Sequence, residues 1–472
     1  MADTDLQHSG SYESRAESDT SQEDKVQRWL QEVELAGEVE KIWRKEAEGS
    51  RNIYRAEKEG AERKFNIHYS SVQTSTPSLY NSTPTPDVRA RYNDDNEVSR
   101  TSCQAIERVL SYSVDTYDFD STIKAAVQDR EIAGRGQVRV RYVPMEYQGR
   151  IYQEVLCEHV LWKHYRQGPA TRFEDVPWVA FEHFLTRSQL NKLAPKLGDK
   201  IKLDFALDGA DSKKADAAPN VFKRARVWEI WDKETRKVIW IATSYPDAPI
   251  REDDDPLGLV GYYPVSNPLY HTRTSDSMVP ICPYRIIKPL ADELEELTIR
   301  IQALIRVCKW RGIRHPAIPS FESLEDAVDG ELVAPTDGSE TLGLIQAGGL
   351  DKFIWLMPIE QLIGVLKALY EQREMVKQTI FEVSGLADIM RGQSDPNETL
   401  GAQELKANFG TMRLQEAQKD VQRFCRDLFR LKAEIACNMF DSQNLMMMTG
   451  LGLPSRQEVL QARQQLQMMQ QQ

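Results

Sequence analysis

An α+β fold is predicted for this chain, from a change of character near residue 288. Before that point, short runs alternate apolar and polar side chains with the two-residue period of strands, interspersed with helical stretches. Beyond it, three long runs place apolar residues three and four apart, the spacing that gathers them on one helix face. With 41% hydrophobic residues among 472, the chain has material for a substantial core, and 28% charged residues leave it a wet exterior.

Residues 1–23 are rich in Ser, Asp, Glu and Gln and are expected to stay disordered until bound. Residues 23–62 predict a helix or a pair of helices with one narrow apolar face (Val26, Trp29, Leu30, Val33, Ile42, Trp43). The Ser/Thr/Pro punctuation of residues 70–86 predicts extended or looped chain. Helix returns over residues 95–133, with Ala105, Ile106, Val109 and Leu110 on one face and Ile123, Ala126 and Val127 on another.

Gly134, Arg135 and Gly136 read as a turn into a strand. Val138, Val140 and Tyr142 there alternate with Gln137, Arg139 and Arg141, the pattern of a half-buried strand. Arg135, Arg139 and Arg141 on one side, with Arg150 following, have the chemistry to touch phosphate but read better as a solvated outer face. Further strands are expected over residues 155–159, 178–185, 227–231 and 238–242, and a short helix over 186–197. Residues 208–218 and 251–255 read as solvated loops.

Leu290, Leu294, Leu297, Ile301, Leu304, Ile305 and Cys308 predict a helix over residues 289–309, a rod of roughly 30 Å. Arg300, Arg306, Lys309, Arg311 and Arg314 gather toward its far end, where positive charge suits the helix dipole. Gly312 and Pro316 end it. A compact insert follows to Pro358, with strand-like edges at Ala317 and Ile318, 331–334 and 352–356. A second long helix is expected over residues 359–390. The polar stretch 391–398 breaks it, since Gly392 and Pro396 suit a helix interior poorly. A third helix runs from Leu400 to about Phe440, with a possible kink at Gly410. A Gln-rich helical tract closes the sequence.

Catalytic constellations are not evident. There is no GxxxxGK[ST], HExxH or GxSxG. His159 and His164, five apart in or beside a strand, do not have the spacing of a ligand pair. Glu252, Asp253, Asp254 and Asp255 are the nearest approach to a metal-dependent nuclease, but a contiguous acidic run reads better as a solvated loop. Cys157 near His159 lacks any oxyanion site. Six scattered cysteines without a CxxC predict reduced thiols. No run of about 18 apolar residues predicts a membrane span. A net charge of −12 argues against a basic clamp on nucleic acid.

Several stretches, in this order, resemble the portal proteins of tailed bacteriophages, the short-tailed type in particular. They are RKFNIHYSSVQTSTPSLY (63–80), Asp118, Phe119 and Asp120, Ala133 to Gly136, Val138 to Tyr142, DVPWVAF (175–181), LTRSQL (185–190), and Arg391, Gly392, Glu398, Thr399, Ala402 and Gln403. The resemblance covers roughly residues 24–440. It implies a portal fold. Residues 1–23 would be a disordered arm, 24–288 an α/β wing, 289–311 and 359–390 a two-helix stem, and 312–358 a small α/β clip. Residues 391–401 would be a tunnel loop, 402–440 a long kinked wing helix, and 441–472 the start of a short helical crown or barrel.

The function implied is not enzymatic. It is a ring, usually of twelve copies, at one capsid vertex of the virion, assembled in the host cytoplasm. Such a ring is the conduit for double-stranded DNA in packaging and ejection. Gln393, Ser394, Asp395, Asn397 and Glu398 would face the channel. The clip surface, with His315, Phe321, Glu322, Asp326, Asp329 and Asp337, would dock the terminase large subunit and then the head-tail adaptor. The major capsid protein and a scaffolding protein are further implied partners, with no membrane, cofactor or metal. Two other readings compete: a coiled-coil interaction protein without a channel, and, less favoured, a metal-dependent nuclease.

Overall fold

The computed structural model describes residues 22–56, 63–90, 96–206, 223–307, 312–314, 346, 354–356, 359–385, 400–452 and 456–470. It mixes helix and sheet, as an α+β chain does. Five helices come first: α1 (Gln22–Val39), α2 (Lys41–Arg55), α3 (Ile67–Leu79), α4 (Glu97–Thr116) and α5 (Phe119–Ala133). Asn66, Asn96 and Asp118 cap α3, α4 and α5, each side chain accepting a hydrogen bond from a backbone N–H of the first turn.

Helix α3 corrects one expectation. Residues 70–86 carry turn-forming residue types, yet the chain stays helical to Leu79 and only then runs on without helix or ladder. The Asn66 cap starts it. Thr74 and Ser78 satisfy their hydroxyls on the carbonyls four residues back, at 2.9 and 2.8 Å. Pro77 falls in the last turn, and burial of Ile67, Val72 and Leu79 outweighs the weak intrinsic propensity.

Strand β1 (Arg135–Tyr147) pairs antiparallel with β2 (Arg150–Val160) over eleven residue pairs. Gln148 and Gly149 close the hairpin, both with positive φ, which matches the twist of the two strands. Gly136 answers a different need. A Cβ there would lie 2.0 Å from the Ala126 carbonyl oxygen, so only glycine lets β1 lie this close to α5. A second sheet holds β3 (Tyr165–Gln167), β4 (Trp178–Leu185), β5 (Phe205–Ala206), β6 (Lys223–Asp232), β7 (Lys237–Ala242) and β8 (Arg251–Asp254). Its order is β3-β4-β6-β7-β8, with β5 also on β6. Helix α6 (Arg187–Leu193), opened by a Thr186–Gln189 capping box, packs Leu190 under one end. Strand β9 (Leu269–Tyr270) joins the β1 edge.

The second sheet is buried on both faces, and its side chains sort with period two. Trp178, Ala180, Trp228, Ile230, Ile239 and Ile241 meet Val26, Trp29 and Val33 of α1. Val179, Phe181, Trp231 and Val238 point the other way, into the main core with Ile123, Val138 and Val140. Residues 251–254, expected as loop, form the edge strand of this sheet while remaining largely exposed.

The long helices follow. Helix α7 spans Pro283–Val307, starting six residues earlier than the periodicity predicts and running through Pro289. Pro283 suits a first helical position, where no N–H is needed. Strands β10 (Gly312–Arg314) and β11 (Ile354–Leu356) pair at the base of the insert. The expected strands at Ala317 and Ile318 and at 331–334 lie outside the described residues. Helix α8 (Ile359–Ser384) returns antiparallel to α7. Leu294, Leu297 and Ile301 pack with Leu369, Val376, Ile380 and Phe381, and the core continues to Trp43 of α2. At 25 and 26 residues, each helix is a rod of roughly 40 Å.

Helix α9 runs from Leu400 to Met439 and stays helical through Gly410. Val421, Phe424, Cys425, Leu428 and Ile435 bury it across the body. Helices α10 (Ser442–Thr449) and α11 (Arg456–Gln470) end the chain described.

Replacing Gly136 with Ala should lower stability by about 1–3 kcal/mol, because the backbone of α5 must move to admit the methyl group. Gly364, on α8 with open space around it, is the control. There the same change should be neutral or stabilise by about 0.5–1 kcal/mol. Urea unfolding midpoints measure both.

Candidate functional site

The stretch that the sequence singles out is reached by the C-terminal end of α8. That helix stops at Ser384, and Gly385 follows with φ +75, a left-handed conformation that favours glycine. The Arg413 side chain of α9 comes within 3.1 Å of the position a Cβ on Gly385 would take. Residues 386–399 lie outside the described residues, and with them Gln393, Ser394, Asp395, Asn397 and Glu398. So do His315, Phe321, Glu322, Asp326, Asp329 and Asp337 of the insert. What the structure gives is the joint at the body end of α7 and α8, close to Gly385.

Three sets of contacts build that joint where the body meets α7 and α8. Arg63 pairs with Asp292 at 2.5 Å. The backbone N–H groups of Lys64 and Phe65, just before α3, both donate to the Glu295 carboxylate at 2.8 and 3.2 Å. Arg373 of α8 lies over the Phe65 ring at 4.7 Å and donates to Thr298 at 3.1 Å. A carboxylate receiving two backbone N–H groups fixes the entry of α3 against α7 more firmly than an exposed ion pair does.

Beside the joint is a cavity of about 430 Å³. It is lined by His68, Ser71 and Ser75 of α3, Arg130 and Glu131 of α5, His271, Tyr284 of α7, Ser384, Gly385 and Arg413. Its buried polar groups restrain one another. Burial alone raises the Glu131 carboxyl, but the Arg130 guanidinium, His271 and the Ser75 hydroxyl together outweigh it and leave the group below the ordinary carboxylate value. Burial pushes His68 down to about 4, against a partial opposing pull from Glu131. His271 is lowered for the same reason.

Neutral His68 lies 2.9 Å from the Ser50 hydroxyl, which donates its proton to the Ile132 carbonyl at 2.6 Å. The histidine must therefore donate through Nε2. With its proton committed to the backbone and its side chain buried, Ser50 is not an available nucleophile. The cluster holds charge in place. It does not have the form of a proton-transfer pair.

The arginines of β1 are a correction. Arg135 is fully buried, bonded to Glu40, which also binds Arg44, and lies 4.4 Å over the Trp43 ring. Arg139 is 5% exposed, 2.7 Å from Glu229 and 2.8 Å from Glu158. Alternation along β1 hides them on an inner face because the second sheet and the N-terminal helices cover it. Only Arg141 is exposed as expected, pairing with Glu158 at 3.3 Å.

The acidic run disperses. Glu252 pairs with Lys25, Asp253 with Arg251, Asp254 with Lys237 and Asp255 with Arg236. His159 bonds to Asp129 and His164 to Glu182, so the two do not share a site. Burial pushes the Cys157 thiol up to about 11. Among the described residues, no three His, Cys, Asp or Glu side chains gather as a metal ion requires.

Sequence reasoning missed the Glu295 latch and the cluster around Glu131. His68, Ser71 and Ser75 do fall at i, i+3 and i+7, a polar stripe that becomes visible once residues 67–79 are read as helix. No protein-family model matches the sequence, and no curated protein matches it.

His68 gives a pH dependence with a definite sign. Its value falls from 6.5 to about 4 on folding, so its contribution is complete above about pH 6.5 and is lost as pH falls toward 4. The difference corresponds to roughly 3 kcal/mol. His68→Gln should flatten the fall in urea midpoint between about pH 6.5 and pH 4.5.

Proposed function

We propose that this chain is a portal subunit: one of a ring of copies, usually twelve, at a single capsid vertex. The ring passes double-stranded DNA during packaging and ejection. It serves as the platform for the terminase large subunit and then the head-tail adaptor, held in the shell of the major capsid protein, with a scaffolding protein as a further partner. The observation that carries this reading is the helix pair. Two antiparallel rods, α7 and α8, leave a mixed α/β body, bracket an insert at their far end, and are followed by a 40-residue helix that crosses back over the body. That order is the one the sequence resemblance implies.

Two physical features support it. Helices α7 and α8 keep large apolar side chains on faces turned away from each other: Ile299, Ile305, Ile363, Val365 and Met375 are all more than 40% exposed. Faces of this kind fit neighbouring copies, and a head-to-tail contact that closes gives a ring. The net charge of −12, multiplied by the copies, makes a negative conduit that does not grip phosphate, as passage of DNA requires.

A coiled-coil interaction protein explains the rods but not the two-sheet body. A nuclease needs converging carboxylates, and those at 252–255 each pair with a base on the surface.

Negative-stain images of the purified protein should show rings with a central hole. Rods or monomers would overturn the reading. Shortening residues 393–397 should leave those rings intact while packaged DNA is lost or poorly retained. A shortened chain that no longer forms rings would mark the stretch as a structural joint.

A further inference from the structure

A second cleft follows along α9, sharing Leu79 with the cavity beside the joint. It is a groove of about 870 Å³ between that helix and the segment after α3, residues 79–89. Its floor is apolar, with Leu79, Leu110, Val421 and Phe429. Its rim is basic, unusually for an acidic chain. Arg423, Arg426 and Arg430 all turn to one carboxylate, Asp427, at 3.2, 3.3 and 3.6 Å. Arg426 and Arg430 line the groove with their side chains 58% and 71% exposed. On the opposite wall Asp87 is taken by Arg89, and Glu107 accepts the Val88 N–H. Positive charge is therefore left over along the α9 side.

We propose that this groove is the docking site of the chain's own acidic N-terminal arm, residues 1–21. The arm carries Asp3, Asp5, Glu13, Glu17 and Asp19 against Arg15, a charge opposite to the rim. Leu6 and Tyr12 supply large apolar side chains for the floor, and Glu13 directly follows Tyr12. A short apolar anchor beside acidic residues is the chemistry that an apolar floor with an arginine rim recognises.

The reach suffices. Helix α1 is held to β8 by Lys25 and Glu252 at 2.6 Å, and Asn438 of α9 donates to the Gly258 carbonyl at 3.0 Å. From Glu252 to Gly258 is at most about 20 Å of chain, and from Asn438 back to Arg430 about 12 Å of helix. With the side chains that bridge these points, the path from Gln22 to the groove is roughly 50 Å, and an extended 21-residue arm spans roughly 70 Å.

Trypsin cleavage after Arg15 tests this on the full chain. The intact protein should be cut about tenfold more slowly than the Arg426→Glu/Arg430→Glu variant, because cleavage follows the population of the released arm. High salt should abolish the difference. Both substituted side chains are exposed, and an unchanged circular dichroism spectrum confirms the fold of the variant. A labelled peptide of residues 1–21 supplies a second reading. It should bind protein lacking residues 2–21 and lose that binding when Arg426 and Arg430 are reversed. Equal cleavage rates, or peptide binding indifferent to the reversal, would overturn the proposal.

Discussion

Arg135 and Glu40 form the contact on which the body turns. The guanidinium is fully buried, and the carboxylate sits where α1 passes into α2. Burial works against both charges. Each nevertheless holds the other ionised, Glu40 below and Arg135 above its ordinary value. A buried charge left alone costs several kcal/mol, so neither residue is tolerated there without its partner. The pair has further anchors: the Trp43 ring under the guanidinium, the Trp162 carbonyl beside it, and the Trp43 indole donating to Ala133 at 2.7 Å. One ion pair thus fixes the N-terminal helices, the first residue of β1 and the turn before β3 in a single arrangement. Ionic partners, unlike apolar packing, accept few alternatives.

From that node the structure extends in two directions. One is the body, in which the second sheet is covered by α1 on one face and by α5, β1 and α9 on the other. Another buried pair, Arg139 with Glu229, crosses this interior and brings His183 to the same carboxylate at 2.8 Å. The other direction is the helix pair, continuous with the body through Trp43, Ile67 and Tyr284 and latched by Glu295 to the chain entering α3. The joint is therefore stiff where the rods leave the body. Ile299, Ile305, Ile363, Val365 and Met375 remain exposed on the rods.

Among the described residues, the buried arginines Arg135 and Arg139 each have a carboxylate partner, whereas buried Lys432 reaches only the Ser113 carbonyl and the Phe119 ring. The acidic run at 252–255 distributes its carboxylates over four bases. The α9 arginines do the opposite, three sharing one aspartate at the edge of a groove. Among the described residues this imbalance contrasts with the overall charge, and for that reason it marks a surface for an acidic partner.

Much of this was legible in the residues. Period-two runs at 178–185 and 238–242 and the 3.6-period runs of the long helices gave the right elements, because those patterns record which side of an element meets the core. The bounds moved where caps and packing decide them, as at Pro283 and Ser384. Residues 70–79 are helical against expectation: Ser, Thr and Pro favour turns locally, but the Asn66 cap and burial among α2, α5, α7 and α9 hold them in a helix. The buried arginines of β1 were misread because strand alternation fixes that they share a face but not what covers it. That depends on Glu40, ninety-five residues away. By itself the sequence determined the kinds of element and their order, since these follow from local periodicity and caps. Which face is inside, which charge finds a partner and which groove stays open were decided by tertiary structure, since each depends on residues far apart in the chain.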